Sequence, residues 1–305
     1  TPNAWAMLSV WVVGGLLAFA GAMAYAELAT LRPHAGGEYV YLREAYGSLA
    51  AFLSGWTSFV AGFAGAIAAG SVALADYVGR FVPTAADRSP LLTIPLPYLP
   101  LTDTPQSIVA ISAIAALSMI HLHGAGRVVH NLLAGMKVSA LALFVALGLS
   151  LGAGDVTHFA SAHAVASPWA NWLLALVPVM FSYSGWNAAA YVAEEIRDPD
   201  RNLPRSLAFG TLTVVGFYLL LNGLYVYAMP VSELGALGDG QLTTLVAERL
   251  FGFVAGNVLA VFTIVSIAAS VSAMVLAGPR VYFAMARDGL FFSSAARVHP
   301  KFRTP

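Results

Sequence analysis

The feature that most restricts the fold of this sequence is a series of seven apolar runs joined by short polar or Gly/Pro-rich connections. They lie at roughly Trp5 to Leu28, Ser48 to Val78, Ile108 to Leu122, Val128 to Leu151, Trp169 to Ala193, Ser206 to Met229 and Leu250 to Met285. A helix needs about 20 apolar residues to cross the hydrocarbon layer, and most of these runs supply them. Composition agrees, with 59% hydrophobic and 10% charged residues, where a soluble domain carries about 25% charged. In lipid every backbone N–H and C=O must be bonded within the protein. The runs lack the period-two alternation of barrel strands, so they read as helices. The expectation is an all-α polytopic membrane protein with the lipid bilayer as its surroundings.

Charge placement then predicts orientation. Arg32, Arg43, Arg127, Arg197, Arg201, Arg205, Arg280, Arg287, Arg297, Lys301 and Arg303 fall to one face, and Arg80, Arg88 and Arg249 to the other. Cationic loops are retained in the cytoplasm, which puts the chain start outside and the chain end inside. Thr1 reads as part of a running loop with no signal peptide, so an outside start implies a fragment whose parent has an odd number of helices upstream, most economically one. Lys plus Arg and Asp plus Glu both total 15, and this balance gives no reason to expect nucleic acid as a partner. The absence of cysteine excludes disulfides, thiolate metal sites and a disulfide-linked ancillary subunit. Alanine-rich spans without cysteine fit a bacterial inner membrane better than an animal complex with a disulfide-linked partner.

Two spans carry polar groups at membrane depth. The fifth, WANWLLALVPVMFSYSGWNAAAYVA, holds Pro178, Ser182, Tyr183, Ser184, Gly185 and Asn187 near its middle. Proline removes a backbone donor and glycine loosens the ladder. Irregular backbone survives in a membrane only where it is buried in protein or lines a wet cavity, as at transporter substrate sites, where freed carbonyls suit an ammonium group. A proline-kinked helix with hydroxyls bonded to their own turn is the other reading. The fourth span contains Lys137, whose insertion near a helix centre costs about 2.5 to 3.5 kcal/mol. Either it snorkels to the interface or it is buried against carbonyls and hydroxyls, with Ser266 and Ser270 of the last span as candidate partners, standing in for a bound sodium ion. Gly62, Ala66 and Gly70, four residues apart, predict a small-residue packing stripe. His121, His123 and His130 in the third connection have no carboxylate nearby and make a poor metal site.

Three blocks resemble one family, the amino acid-polyamine-organocation transporters, and within it the L-type amino acid transporters and their prokaryotic relatives. They are YAELATLRPHAGGEYVYLREAYG (Tyr25 to Gly47), FSYSGWNAAAYVAEEIRDPDRNLPRS (Phe181 to Ser206) and GPRVYFAMARDGLFF (Gly278 to Phe292). The resemblance implies a LeuT-like five-plus-five inverted repeat, here truncated to seven transmembrane helices equivalent to the second to eighth of twelve. It implies an amino acid as substrate, no cofactor, and transport by alternating access. The unwound sixth helix of that family offers carbonyls to the substrate ammonium, which maps onto Phe181, Ser182 and Ser184. Phe181 would be the aromatic gate, with Tyr183, Gly185, Trp186 and Asn187 shaping the pocket. Lys137 would take the place of a sodium site and make transport sodium-independent. Asn187, an amide, cannot titrate where some proton-linked relatives have glutamate. The carboxylate-binding first helix and helices nine to twelve would lie outside these residues. Glu194 and Glu195, followed by Arg201, read as an ion-paired cytoplasmic gate rather than a catalytic pair.

Proton symport, uniport and polyamine or amine transport stay open beside exchange. A seven-helix receptor or light-driven protein has the right span count and start, but a broken fifth helix and no lysine in the last span oppose it. No constellation of an intramembrane enzyme is present.

Overall fold

The computed structural model describes residues 3–97, 100–123, 126–160, 169–236 and 242–299, with no side chain given for Arg127; the cationic positions Lys301 and Arg303 lie outside the described residues. Among the described residues six helices are long and apolar enough to cross a membrane, and the fifth predicted span is present as a shorter apolar helix, Trp169–Ser182. The chain divides into two compact units, residues Thr1–Gly37 with Ser139–Leu259, and Glu38–Val138 with Ala260–Pro305.

The first unit is organised on α1 (Ala4–Leu31), whose start is set by the Asn3 side chain accepting the Ala6 N–H at 2.7 Å. This cap satisfies one of the helix's otherwise orphaned donors. With α1 pack α7 (Trp169–Ser182), the short α8 (Ala188–Tyr191) and the long α9 (Pro199–Ala228). Close approach depends on the α1 glycines. A Cβ at Gly15 would lie 2.9 Å from Val215 Cγ1 and 3.0 Å from Tyr183 Oη, and one at Gly14 would lie 2.7 Å from Val179 Cγ1. The C-terminal half of α6 (Gly126–Leu151), the single turn α10 (Val231–Ala236) and α11 (Leu242–Phe251) complete this unit. The last span was expected from Leu250, but Gly252, at φ +88°, separates α11 from α12 (Phe253–Arg287). Hydropathy runs through this corner without a mark, because a positive φ is written only by the glycine that tolerates it.

The second unit contains α2 (Glu38–Tyr46), then a rod made of α3 (Ser48–Thr57), a π-helical turn at Ser58–Gly62 and α4 (Phe63–Gly79). A two-stranded hairpin, β1 (Leu92–Ile94) and β2 (Leu101–Asp103), precedes α5 (Pro105–Leu122). Thr104 and Ser107 form a reciprocal capping box at the start of α5. The rod meets α12 through glycines, although not along the expected stripe. Gly62 and Ala66 are exposed, with Gly62 falling in the π turn, whereas Gly70 faces Val271, Gly55 faces Met285 and Gly278 of α12 faces Phe63. The π turn adds a residue to the ladder between Gly55 and Gly70, so the small residues that meet α12 on either side of it do not follow one four-residue spacing. Arg280, counted above among the loop cations, is buried within α12 and donates to the Leu276 carbonyl.

Substituting Gly15→Val forces a side chain into the α1–α9 contact and is expected to destabilise by about 1 to 3 kcal/mol. Gly210→Ala in α9, where a Cβ meets nothing within 4 Å, is expected to leave stability unchanged or raised. The fraction remaining monodisperse in detergent after a temperature ramp reads both.

Candidate functional site

The fifth predicted span is interrupted. Pro178 lies inside α7 and cannot donate to the preceding turn. Ser182 Oγ donates to the Pro178 carbonyl at 2.9 Å, and Tyr183 N–H still reaches the Val179 carbonyl at 3.0 Å. The ladder then shortens: Ser184 N–H bonds to the Phe181 carbonyl at 3.1 Å, which takes from Met180 its ordinary donor. Gly185 turns to φ +98°. Beyond it Ala188 N–H returns to the Gly185 carbonyl at 3.0 Å, leaving Ser184's carbonyl without its usual helical donor, and only four residues of α8 follow. Both readings of this span therefore contain part of the outcome, since a hydroxyl bonds back to its own turn and the helix is also broken.

The candidate residues divide by direction. Phe181, at 79% exposure, and Ser182, Ser184 and Gly185 are exposed. Tyr183, expected beside the substrate, is 3% exposed and turned into the core, donating its hydroxyl to the Trp11 carbonyl at 3.0 Å. Its ring sits edge-on to Trp11 and Tyr218. Trp186 packs edge-on to Tyr25 at 5.0 Å and covers Gly21, where a Cβ would come within 2.9 Å of the indole. Asn187 Nδ2 donates to Tyr191 Oη at 3.1 Å. Tyr218, which the sequence reading passed over, donates from α9 to the Ser182 carbonyl at 2.8 Å. A carbonyl has two lone pairs, so this bond fixes the oxygen's direction and still leaves an acceptor site.

Below the break the loop following α1 is tied to the same segment. Ala35 N–H donates to Glu194 Oε2 at 3.1 Å and Gly36 N–H to the Tyr191 carbonyl at 3.2 Å, while Gly37, at φ +55°, lies against the Tyr191 ring. Glu194 thus holds a backbone amide of this loop. Glu195 ends the short 3-10 turn that contains both carboxylates, and Arg201, exposed, occupies the first turn of α9. Asp198 takes a left-handed conformation at φ +47° ahead of that turn, which a short polar side chain tolerates better than most.

In the second unit, Lys137 Nζ donates to Ser270 Oγ at 3.1 Å, and Ser270 Oγ donates to the Ser266 carbonyl at 3.2 Å. The lysine is half-buried. Two residues along α12, Ser272 Oγ lies 2.8 Å from buried His121 Nε2. Sequence reading also missed a junction at the end of α12, where Asp288 pairs with Arg43 and accepts the Tyr39 hydroxyl at 2.9 Å. Burial, followed by that bond, pushes the Tyr39 phenol upward, so it remains a donor across the working pH range. The i, i+4 spacing of Tyr39 and Arg43 on α2 was the available signal. Among the described residues no group of three His, Cys, Asp or Glu is placed to hold a metal.

Replacing Tyr218 by Phe keeps the ring and deletes the bond to Ser182. Amide exchange in the peptide containing residues 181–188 is expected to accelerate, with a stability loss of about 0.5 to 1.5 kcal/mol; unchanged exchange would show that the carbonyl does not need this hold.

The profile of the family described as Amino acid permease matches residues 1–305. Among curated proteins, the chain is 32% identical over 302 residues to the serine/threonine exchanger SteT of Bacillus subtilis (strain 168), covering 98% of this chain and 64% of that protein. It is 28% identical over 308 residues to Asc-type amino acid transporter 1 of Mus musculus, with 98% and 54% covered. The large neutral amino acids transporter small subunit 2 of Homo sapiens gives 28% identity over 308 residues, with the same coverage of 98% and 54%. The chain spans between about half and two-thirds of the length of these relatives.

Proposed function

Because the chain belongs to the amino acid permease family, we propose that the complete protein is a secondary active transporter of L-amino acids, a sodium-independent exchanger or permease working by alternating access. The observation that carries this reading is the interruption between α7 and α8, with Gly185 at φ +98° and the Ser184 N–H stepping back to Phe181. Such a gap presents backbone oxygens in a membrane span, and an ammonium group is the cation that a ring of carbonyls suits without any charged side chain. Phe181, Ser182, Ser184 and Gly185 form the substrate-facing edge, with Phe181 as the gate, while Tyr183, Trp186 and Asn187 set the position of that edge from behind. All seven residues are uncharged, which supports neutral substrates. The names of the relatives, a serine/threonine exchanger and a transporter of large neutral amino acids, support the same class.

Lys137 supplies the coupling argument. An ammonium within hydrogen-bond distance of Ser270 Oγ occupies the place in which hydroxyls and carbonyls would otherwise hold a metal cation, so its fixed charge removes the need for sodium. Glu194 and Glu195 with Arg201 serve the inner gate, Glu194 by holding the Ala35 amide. The excess of arginine on one face supports a start outside and an end inside, and the absence of cysteine in these residues supports a bacterial inner membrane without a disulfide-linked subunit.

Counterflow of radiolabelled neutral amino acids into liposomes containing the complete protein tests this. Uptake is expected with and without sodium. It should be abolished by Ser184→Pro, which deletes the N–H bonded to Phe181, and by Lys137→Ala; Ser270→Ala should slow it several-fold. Size-exclusion profiles separate lost activity from misfolding. Uptake that requires sodium in the parent protein would overturn the role of Lys137, and well-folded protein that moves no amino acid would overturn the substrate class.

A further inference from the structure

The connection between α4 and α5 has an unusual composition for a segment outside the spans. No charge occurs between Arg88 and Asp103, and the interval contains Leu91, Leu92, Ile94, Leu96, Leu99 and Leu101. The hairpin sorts this material by face. Leu92 pairs with Asp103, Thr93 with Thr102 and Ile94 with Leu101. Opposed residues share a face and successive residues alternate. Leu92, Ile94 and Leu101 therefore lie on one side and Thr93 and Thr102 on the other. The three apolar side chains are 58%, 46% and 51% exposed. Asp103 shares their face only at the base, where its carboxylate accepts the Ser107 hydroxyl at 2.6 Å.

Polar partners are gathered at that base. Arg88 pairs with Asp76 at 3.2 Å, Gln106 Nε2 donates to Asp76 at 2.6 Å, and Ser89 donates through both its N–H and its hydroxyl to Asp87. The Ser89 backbone N–H, and then its hydroxyl, hold the Asp87 carboxyl below the usual carboxylate range. The result is a charged root and an apolar blade. A single residue, Thr104, separates β2 from the first residue of α5, so the blade adjoins the start of a helix long and apolar enough to cross a membrane. Pairing with another strand fits poorly: each strand has three residues, and Pro95, Pro97 and Pro100 flank them without a backbone donor. Exposed to water, such a patch invites aggregation, whereas the boundary between headgroups and acyl chains accepts it.

We propose that the β1–β2 hairpin is an interfacial membrane anchor, its Leu92, Ile94 and Leu101 face seated in the leaflet at the α4–α5 end and its threonine face turned to water. The anchor would fix the depth at which α5 enters the bilayer, independently of what the protein carries.

Residues 1–305 contain no cysteine, so a thiol probe can be placed singly. Ile94→Cys, Leu101→Cys and Thr93→Cys variants of the complete protein would be labelled with an environment-sensitive nitrobenzoxadiazole dye, with the parent protein as background. They would be reconstituted in phosphatidylcholine–phosphatidylglycerol vesicles with quencher on both sides. Probes at 94 and 101 are expected to emit at shorter wavelength than the probe at 93. They should lose most of their emission to lipids carrying a nitroxide high on the acyl chain, and little to iodide, with the reverse at 93. Strong iodide quenching at 94 and 101 would overturn the proposal in favour of a solvated loop. Protection of both from both quenchers would overturn it in favour of a protein surface as the occupant.

Discussion

Everything in the first unit follows from one constraint, that backbone polar groups at membrane depth must find partners inside the protein. The chain breaks its ladder between Tyr183 and Asn187, and the surroundings are arranged around the consequences. Tyr218 crosses from α9 to hold the Ser182 carbonyl. Tyr183 is driven inward, where its hydroxyl finds the Trp11 carbonyl and its ring packs edge-on to Trp11 and Tyr218. The packing needs room, and α1 provides it by presenting Gly14 and Gly15 beside Tyr183 and Gly21 beneath Trp186, where any side chain would collide. An interrupted helix, an aromatic cluster and a glycine-lined partner helix are thus one arrangement. Its product is an exposed face at Phe181, Ser182, Ser184 and Gly185 backed by the buried Tyr183.

Within the second unit the same constraint acts on side chains. Buried polar groups are costly when unpaired, and α12 answers with serines: Ser270 for Lys137 and Ser272 for His121, two residues apart. The π turn between α3 and α4 adds a residue to the rod, and Gly55 and Gly70 on either side of it receive Met285 and Val271. The loop after α1 shows how finely anchoring is divided along a chain. Ala35 bonds to Glu194 and Gly36 to Tyr191 at the end of α8 in the first unit, whereas Tyr39 and Arg43 bond to Asp288 in the second. Gly36 and Gly37 take φ of +119° and +55°, and Gly37 is the first residue beyond the first set of bonds.

Much of this was legible beforehand, and the failures are informative. Spans could be placed because hydropathy sums over a window and tolerates errors at single residues. The break near Gly185 was readable because proline, serine, glycine and asparagine cluster where lipid would forbid them. Ser270 could be named for Lys137 because few hydroxyls in the last span lie at a comparable depth. The corner at Gly252, the π turn and the inward direction of Tyr183 were not readable. Each depends on a backbone angle or a neighbour that leaves no periodic trace. Tyr218 was invisible for a related reason: in sequence it is one more aromatic residue on an apolar helix, and only its hydroxyl's position, 36 residues from its acceptor, distinguishes it.

The sequence by itself determined that this chain lives in a bilayer, where its helices run and which of them cannot remain intact, since these follow from local composition and from the cost of unpaired backbone in lipid. The tertiary structure alone decided which side of the broken segment is exposed, which glycines admit a neighbouring helix and which distant groups hold its carbonyls. Those choices rest on contacts between residues far apart in the chain, as with Tyr39 and Asp288, 249 positions apart, and a local pattern carries no information about a partner that folding alone brings near.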